Sequence, residues 1–444
     1  MQKICLALPT NRECATTIAA LAEEAADAAV HFGVEVHLLI LDSSDERTAA
    51  AHARAVRELP AVPGVVTHHL DEPRQRAFLQ EAIHRSGATK PDHLLDLMLP
   101  RAVSYGACTN RAFLFAAALG CSSVHRRDSD SRYQFHDGRP VHPLRQELAF
   151  LGKPAADAAA GADRTVLVQA DLAKPVSMVA ASFIGEPSVD LGGIERRDQE
   201  VHRDIIGLWA PASWSGERRD ALVDESFRGA GHTPFTGDDT LLTQVDPMRV
   251  DMCNISFHQG VYEALPLPPA VDTIGSDYFL IHAVHDATLP GVLHNRHIVN
   301  YYTPERRTPE GLLAYQLRYA KFLLSMLYFH EVYDRMADAG TALLDADHRI
   351  RADEVARLVR ESSLLDRAEN ITRLEVLEQA YRRLGDPYTA CADLLAARGP
   401  RLLDEAQADI EDFALLIEAW GPLVGASRAT AVPRAAGGEG IPPC

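Results

Sequence analysis

The sequence predicts an α/β protein in which a mostly parallel sheet carries helices on both faces and a helical C-terminal unit follows. Within the first third of the 444 residues, apolar runs alternate with stretches of helical periodicity. This alternation is typical of parallel strands joined by helical crossovers. From residue 308 onward only helical periodicity remains. The chain also exceeds the usual size of one hydrophobic core, so we expect more than one unit.

The N-terminal elements follow one another in strict alternation. KICLALPTNR predicts the first strand, and ATTIAALAEEAADAAVHFG has helical spacing that ends at Gly33, a typical helix C-cap. VEVHLLILDSSDE predicts the second strand, which ends at Asp42. The helix AAAHARAVREL, the strand GVVTHHL and the helix PRQRAFLQEAIHRSG continue the pattern.

Polar clusters follow three of the predicted strands. The helix SYGACTNRAFLFAAA, residues 104–118, leads to a strand that ends at Asp128. The clusters cover residues 10–12, 42–45 and 126–130. In such sheets ligands bind outside the carboxyl ends of the strands. We therefore expect the three clusters to converge on one ligand site.

The rest of the chain divides at about residue 303. Residues 165–260 are mixed, with strand-like pieces at TVLVQA and RVDMCNISF, and GKPAADAAAGADR predicts a loop. Thr308, Pro309 and Glu310 are typical of a helix start, and this long helix runs to Gly340. Further helices are predicted at about 352–384 and 388–424. The predicted organisation is a catalytic unit at 1–303, a helical unit at 304–425 and a disordered tail at 426–444.

Composition excludes several classes of protein. The formal net charge of −18 disfavours nucleic-acid partners, and no apolar run reaches the length of a membrane span. The seven scattered cysteines form no Cys-x-x-Cys pair, so we expect a cytoplasmic protein without disulfides. The absence of Gly-x-Gly-x-x-Gly, Walker and Gly-x-Ser-x-Gly motifs argues against dehydrogenases, NTPases and α/β-hydrolases.

Asp128 and Asp130 form an Asp-x-Asp motif directly after a predicted strand, beside Arg126 and Arg127. Two carboxylates this close repel unless a cation lies between them. Mn²⁺ or Mg²⁺ prefers such oxygen ligands and bridges them to phosphates. The alternative interpretation is a solvated turn.

The order of these motifs resembles that of GT-A-fold glycosyltransferases. The resemblance covers residues 3–135, through PTNR, LILDSSD, TNRAFLFAAALG and the strand ending in Asp-x-Asp, and returns at residues 253–306. The fold it implies is a GT-A-like sheet, and the activity is transfer of a sugar from a nucleotide-sugar. The family often has Glu-Asp where this chain has Ser276 and Asp277, and the helical unit has no general counterpart in the family.

The resemblance also implies roles for individual residues. Asp128 and Asp130 would hold the metal and the diphosphate, and Asp42 would contact the base or ribose. The other residues expected to bind the nucleotide-sugar are Pro9, Thr10, Asn11, Arg12, Asn110, Arg111 and Arg127. Simpler alternatives stay open for three residues: Asn11 as a helix cap, Asp42 as a turn cap and Arg111 as a surface residue.

Asp277 and His297 complete the predicted site. Asp277 follows a helix-starting Gly-Ser pair, where the helix N-terminus favours the ionised form that a general base needs. The alternative is an acid that only complements the helix dipole. A late histidine often closes the metal shell in this family. GVLHNRHIVNYYTP predicts one strand with His294 and His297 on opposite faces, and we assign His297 to the metal. A zinc site formed by these two with His282 and His285 is a further alternative.

The sequence therefore favours a metal-dependent glycosyltransferase that acts on a hydroxyl or amine of a small-molecule acceptor. Arginine and alanine are abundant, which is typical of GC-rich actinobacterial genomes and suggests natural-product tailoring. A sugar-nucleotidyltransferase is an alternative, although the glycine-rich loop it needs after the first strand is missing. A non-catalytic GT-A-like protein that acts through its helices is another. The long helix at 309–339 is a candidate homodimer surface.

Overall fold

The fold is described by a computed structural model over residues 1–187, 191–301 and 304–433, without the side chains of 305 and 306. Fourteen strands, β1 to β14 in chain order, occur in these ranges: Lys3–Thr10, Glu35–Asp42, Val65–Asp71, Ser123–Arg127, Arg132–Tyr133, Phe135–His136, Arg139–Pro140, Arg164–Val166, Met178–Ala180, Phe183–Gly185, Thr240–Thr243, Asn254–His258, Gly291–His294 and Ile298–Asn300.

Sixteen α-helices, α1 to α16, occur in the same part of the chain: Ala15–Phe32, Glu46–Glu58, Glu72–Ser86, Pro91–Met98, Tyr105–Leu119, Leu144–Phe150, Ala155–Ala159, Leu191–Arg197, Gln199–Gly207, Gly216–Glu225, Gln259–Tyr262, Phe279–Asp286, Pro309–Ala339, Ala352–Ser362, Ala368–Leu384 and Thr389–Arg428. Among the described helices, none combines the length and the apolar character that crossing a membrane requires.

Nine strands form one sheet in the order β3-β2-β1-β4-β12-β9-β13-β11-β8. Strands β1 to β4 are parallel, whereas β12 is antiparallel to both of its neighbours, β4 and β9. The chain builds outward from β1 to β3 and then returns to the other side of β1 to form β4. This reversal makes the carboxyl ends of β1 and β4 a topological switch point, where ligands bind in open α/β sheets. The predicted α/β class with a mostly parallel sheet is confirmed.

Helices cover both faces of this sheet because β1 is apolar on both sides. Ile4 and Leu6 pack in one hydrophobic cluster with Ile18 of α1, and Cys5 packs in a second cluster with Phe113 of α5. Alternate residues of a strand point to opposite faces, so a continuous apolar run predicts a strand buried on both sides.

The C-terminal helices pack directly onto the α/β unit. Thr308 caps α13, its side chain accepting a hydrogen bond from the Gly311 N–H at 3.0 Å, as the sequence predicts. In α16 the Trp420 indole Nε1 donates to the Tyr262 carbonyl at 2.9 Å. The two predicted units thus share one hydrophobic cluster. The boundary at residue 303, which lies outside the described residues, stays a prediction.

Three elements differ from the predictions. The helix predicted at 352–384 is two helices, because the Asp366 carboxylate accepts the Ala368 N–H at 2.7 Å and α15 begins there. The predicted loop at 152–164 contains the short helix α7. The last helix continues to Arg428, beyond the expected start of the tail at 426, and residues 434–444 of that tail lie outside the described residues. The segment GKPAADAAAGADR lacks the large apolar residues that would reveal the helical periodicity of α7.

Helix α13 is largely buried inside its own chain, with side chains such as Tyr319 and Tyr328 fully enclosed. It packs against α14, α15 and α16. The homodimer predicted through this helix stays a prediction, and its contact surface would have to come mainly from the outer helices.

A buried ion cluster holds β4 against α1 and α6. The Arg127 guanidinium contacts the carboxylates of Glu24 and Glu147 at 3.1 and 3.0 Å, and His125 Nδ1 lies 2.7 Å from Glu147. All four side chains are fully buried. Burial acts to raise the pKa of Glu147, but Arg127 and His125 outweigh it and lower that pKa to about 2.

We expect Glu147→Gln to lower the free energy of unfolding at pH 7 by about 3–5 kcal/mol, because it leaves Arg127 without one of its buried partners. The wild-type advantage is fully present above the unfolded pKa of 4.5 and is lost as the pH falls toward 2. Urea denaturation at pH 7 and pH 3.5 measures both effects. Glu81→Gln, at the exposed ion pair with Arg85, is the control and should cost less than about 1 kcal/mol. Equal losses for the two variants would contradict the prediction.

Candidate active site

A cavity of about 360 Å³ lies at the carboxyl ends of β1 and β4. The structure brings eight of the predicted site residues into its lining: Pro9, Thr10, Asn11, Arg12, Arg111, Asp128, Asp130 and Asp277. The loop after β1 is shaped by the Thr10 hydroxyl, which donates to the Arg12 carbonyl at 2.9 Å. Asn11 does not cap α1, because Cys14 is the residue at the N-cap. The strand-end clusters at Thr10 and Asp128 therefore meet in one cavity, as expected.

Arg126 lies between the carboxylates of this cavity. Its Nη1 donates to Asp277 Oδ2 at 2.6 Å and its Nη2 contacts Asp128 Oδ1 at 3.0 Å. A second arginine, Arg12, donates to Asp130 Oδ2 at 2.9 Å. The cations that offset the repulsion within the Asp-x-Asp motif are thus guanidinium groups of the chain itself.

The carboxylates nevertheless exceed the neighbouring positive charge. Burial raises the pKa of Asp128 to about 6, with Arg126 acting in the opposite direction. The negative charges of Asp130, Asp251 and Asp277 also raise the pKa of Asp128. Carboxylate oxygens are the ligands that a hard divalent cation prefers, but no three of these carboxylates lie close enough together to form a ligand group among the described residues.

Two buried hydrogen-bond donors of the lining lack a partner among the described residues: Arg126 Nε and the Ser43 hydroxyl. A buried donor without an acceptor is costly, so both are suited to receive an oxygen-rich ligand. A phosphate group supplies such oxygens.

Asp251 is a site residue that the sequence analysis missed. It lines the cavity, and its Oδ2 accepts a hydrogen bond from the Tyr278 hydroxyl at 2.5 Å. It precedes β12, which runs antiparallel to β4, so the start of β12 lies beside the end of β4. RVDMCNISF predicts a strand, but a sequence pattern does not give the direction of a strand, and the direction is what brings Asp251 to the site.

The structure corrects the prediction that Arg127 binds the nucleotide-sugar. Arg127 is not among the described residues that line the cavity, because successive residues of β4 point to opposite faces. Arg126 faces the cavity, and Arg127 faces α1 in the buried ion cluster with Glu24 and Glu147. The alternation predicts that only one of the two arginines reaches the ligand, and the structure shows that it is Arg126.

Asp42 lies below the cavity rather than in its lining, which Ser43 reaches instead. Its Oδ2 accepts hydrogen bonds from His52 Nδ1 and His69 Nε2, each at 2.8 Å. Burial acts to raise the pKa of Asp42, but these hydrogen bonds hold that pKa well below its usual range. Its Oδ1 accepts the Ser44 N–H at 2.9 Å, so the turn-cap interpretation is confirmed.

Asp42, His52 and His69 each offer one potential metal-ligand atom, and these three atoms lie within 4.8 Å of one another. The hydrogen bonds argue for a different role. His52 Nε2 accepts the Cys14 N–H at 3.0 Å, so the proton of this imidazole is on Nδ1 and is donated to Asp42. His52 therefore presents no lone pair to a cation beside Asp42, and the cluster acts as a buried hydrogen-bond network that fixes the end of β2.

Asn110 and Arg111 hold neighbouring segments in place. The Asn110 side chain bonds both the N–H and the carbonyl of Leu267, at 2.7 and 2.8 Å, and does not line the cavity. Arg111 lines it but donates to Gln75 Oε1 and the Met98 carbonyl, each at 2.7 Å. Arg111 is 5% exposed, so the surface-residue alternative is wrong.

The segment around His297 is two strands rather than the predicted one. β13 belongs to the nine-stranded sheet, β14 pairs with β5 and β10, and His297 lies between β13 and β14. Its Nδ1 accepts the Ser182 N–H at 3.2 Å. Asn300 of β14 lines the cavity, whereas His297 is not among the described residues that line it. The metal-ligand role of His297 stays a prediction.

His282, His285, His294 and His297 do not form a group of potential metal ligands among the described residues. His282 stacks on Tyr333 with ring centroids 3.7 Å apart. His285 Nδ1 lies 3.0 Å from the Val245 carbonyl. The geometry gives no support to the all-histidine zinc alternative.

The family model described as a family of unknown function, DUF6271, matches residues 2–436. The chain belongs to this family. No curated protein matches it. The DUF6271 match extends from β1 to beyond the end of α16, so it includes both the sheet and the helical unit.

Three solved structures illustrate what this DUF6271 chain is similar to. A mannosyltransferase from Pyrobaculum calidifontis, in complex with GDP-Man and Mn²⁺, is 13% identical, with 94% of this chain and 86% of that chain covered and a TM-score of 0.34. A mycobacterial protein is 12% identical, with 75% of this chain and 74% of that chain covered and a TM-score of 0.35. S. aureus TarS is 11% identical, with 92% of this chain and 55% of that chain covered and a TM-score of 0.34. At such TM-scores the likeness carries no argument about activity.

We expect Arg126→Gln to lower the free energy of unfolding by about 3 kcal/mol at pH 7.5, because the buried carboxylate of Asp277 and the partly exposed carboxylate of Asp128 lose their shared partner. Without Arg126 the pKa of Asp128 rises further above 6. Lowering the pH therefore stabilises the variant more than the wild type until about pH 6, so the deficit in unfolding free energy narrows between pH 7.5 and about pH 6 and changes little below that. Urea denaturation at pH 7.5 and pH 5 measures the change.

The matched control is Arg145→Gln, at the exposed pair with Asp27. The pKa of Asp27 is lowered to about 2, so the effect of this control should stay constant between the two pH values. A deficit of Arg126→Gln that does not change between pH 7.5 and pH 5 would contradict the proposed coupling to Asp128.

Proposed function

We propose that this DUF6271 member is a metal-dependent glycosyltransferase with a GT-A-like catalytic unit. It moves a sugar from a nucleotide-sugar donor to a hydroxyl or amine of a small-molecule acceptor. The observation that carries the proposal is the convergence of three groups in one cavity at the topological switch point: the loop 9–12, the Asp-x-Asp pair and Asp277.

Asp128 and Asp130 are the residues that would hold the cation, with Mn²⁺ or Mg²⁺ as candidates. When bound, such a cation supplies positive charge that stabilises a departing diphosphate. The unpartnered Arg126 Nε and Ser43 hydroxyl, which belong to residues of the lining, are the proposed donors to phosphate oxygens. Pro9 to Arg12 form the wall against which the nucleoside would lie.

Asp277 is the proposed general base. It lies in a 3₁₀ turn, Ser276–Tyr278, and Arg126 fixes one oxygen of its carboxylate at 2.6 Å. The other carboxylate oxygen is available to accept a proton from the attacking hydroxyl or amine. The ion pair with Arg126 supports a role for Asp277 beyond complementing the dipole of the following helix.

The wider assignments extend the same proposal. We propose a cytoplasmic enzyme that tailors small natural products and has no nucleic-acid partner, in line with the net charge of −18. Asn110 would act indirectly, by positioning the 265–268 segment next to α5.

The metal and diphosphate assignments are tested by thermal shift. We expect a nucleoside diphosphate, screened as UDP, GDP, ADP and dTDP, to raise the melting temperature only with Mn²⁺ or Mg²⁺. Asp128→Asn and Asp130→Asn should each abolish this shift, while the exposed Asp338→Asn should keep it. A metal-dependent shift of wild-type size in both site variants would show that the cation is held elsewhere.

Turnover tests the role of Asp277. With the nucleotide-sugar whose diphosphate gives the shift, we expect Asp277→Asn to lower the rate of sugar transfer or donor hydrolysis by about 10²–10⁴-fold, because general-base assistance is lost. The nucleoside diphosphate shift should remain. Product analysis by mass spectrometry gives the rate, and turnover within a few-fold of wild type would remove Asp277 from the mechanism.

A further inference from the structure

The cavity has a second wall that the donor chemistry does not use. Trp209, Phe227 and Phe322 line it, and the Trp209 ring contacts both of the others, with centroids 5.4 Å apart in each pair. Met326 extends this aromatic wall. Pockets lined by aromatic and thioether side chains are suited to apolar ligands with flat surfaces.

We infer that this aromatic wall binds the acceptor, and that the acceptor is a small molecule with a planar, apolar body that carries the attacking hydroxyl or amine. The inference rests on the proposed function, because it names the substrate class for the second half of the same site. It also assigns the helical unit a role, which is to build the acceptor side of the cavity.

Phe227 adds an independent observation, because its backbone is strained. Its φ of 60° lies in the left-handed region, where a bulky residue is a genuine outlier. Such strain persists where the surroundings impose it, and it is concentrated at functional sites. At Phe227 the strained backbone holds the ring against Trp209, in the lining of the cavity.

The aromatic wall is continuous with the proposed base. Gly275 has a φ of 69°, and a Cβ added to it would lie 2.8 Å from the Phe322 ring. The Phe322 ring therefore packs directly on the loop that carries Asp277, two residues later in the chain. A molecule stacked on this wall can extend its nucleophile to the carboxylate of Asp277.

The helical unit holds the aromatic wall in position. Phe322 and Met326 belong to α13 itself. His330, also on α13, donates from Nε2 to the Trp209 carbonyl at 3.0 Å, and Arg373 of α15 donates to the next carbonyl, that of Ala210, at 3.4 Å. The position of Trp209 is thus set by two helices of the C-terminal unit.

The chemistry of the wall disfavours an unsubstituted sugar as acceptor. The hydrogen-bonding side-chain groups of the wall are limited to the indole N–H of Trp209 and the weak thioether acceptor of Met326. The hydroxyls of a sugar would lose water there without compensation. An apolar ring system loses little by leaving water and gains contact with the side chains.

Isothermal titration with 2-naphthol and with methyl glucoside tests the inference on the full chain, with and without nucleoside diphosphate and Mn²⁺. We expect wild-type protein to bind 2-naphthol and not methyl glucoside. Trp209→Ala should weaken naphthol binding by about tenfold or more, and Trp209→Phe should restore most of it. Phe135→Ala is the control, since Phe135 is exposed and is not among the described residues that line the cavity.

Phe227→Gly is a second variant that is expected to fold, because glycine adopts a φ of 60° without strain. It should also weaken naphthol binding by about tenfold. Wild-type affinity in both Trp209→Ala and Phe227→Gly, or methyl glucoside binding as tight as naphthol binding, overturns the inference.

The two proposals fail separately. Trp209→Ala and Phe227→Gly should keep the metal-dependent nucleoside diphosphate shift. If that shift occurs and naphthol does not bind, the acceptor assignment is wrong and the proposed function stands. If naphthol binds as expected and no nucleoside diphosphate does, the aromatic wall is a ligand site and the proposed function is wrong.

Discussion

The contact of Arg126 with two carboxylates is the interaction on which the geometry of the site depends. It ties Asp128, at the end of β4, to Asp277, on the turn before α12. Carboxylates removed from water need a compensating cation, and a planar guanidinium can contact two of them in a fixed geometry. The separation between the Asp-x-Asp motif and the proposed base is therefore set by a single side chain.

On the other face of the same strand, Arg127 likewise contacts two carboxylates. There Glu24 and Glu147 enclose its guanidinium within the protein, so this charge stabilises packing and is not available to a ligand. Two consecutive arginines thus divide the roles: one anchors β4 against α1 and α6, and the other organises the cavity at its end. The rigid anchor explains how the strand can present acidic groups without moving apart from β1.

The cavity combines contributions from both parts of the chain. The ends of β1 and β4 provide the charged side, where oxygen ligands and unpartnered donors are concentrated. Trp209 and Phe322 provide the apolar side, and helices α13 and α15 keep them in place. A diphosphate and a hydrophobic acceptor have opposite requirements for solvation, and the two sides of the cavity meet those requirements separately.

The sequence by itself determined the order of the N-terminal elements and the residues that end β1 and β4, because apolar periodicity and polar strand ends are local properties of the chain. From these, the convergence of the loop 9–12 with the Asp-x-Asp motif follows once the strands are parallel. The helix beginning at Thr308 was also predictable, since its capping signal lies within three residues.

Only the tertiary structure decided which face of β4 turns toward the cavity, and so which arginine serves the site. A two-residue period separates Arg126 from Arg127 but does not say which side is covered by α1. In the same way, the burial of Asp42 by two histidines and the arrival of Asp251 beside Asp128 depend on strand pairing. Pairing joins residues far apart in the chain, and no local pattern specifies the partner or its direction.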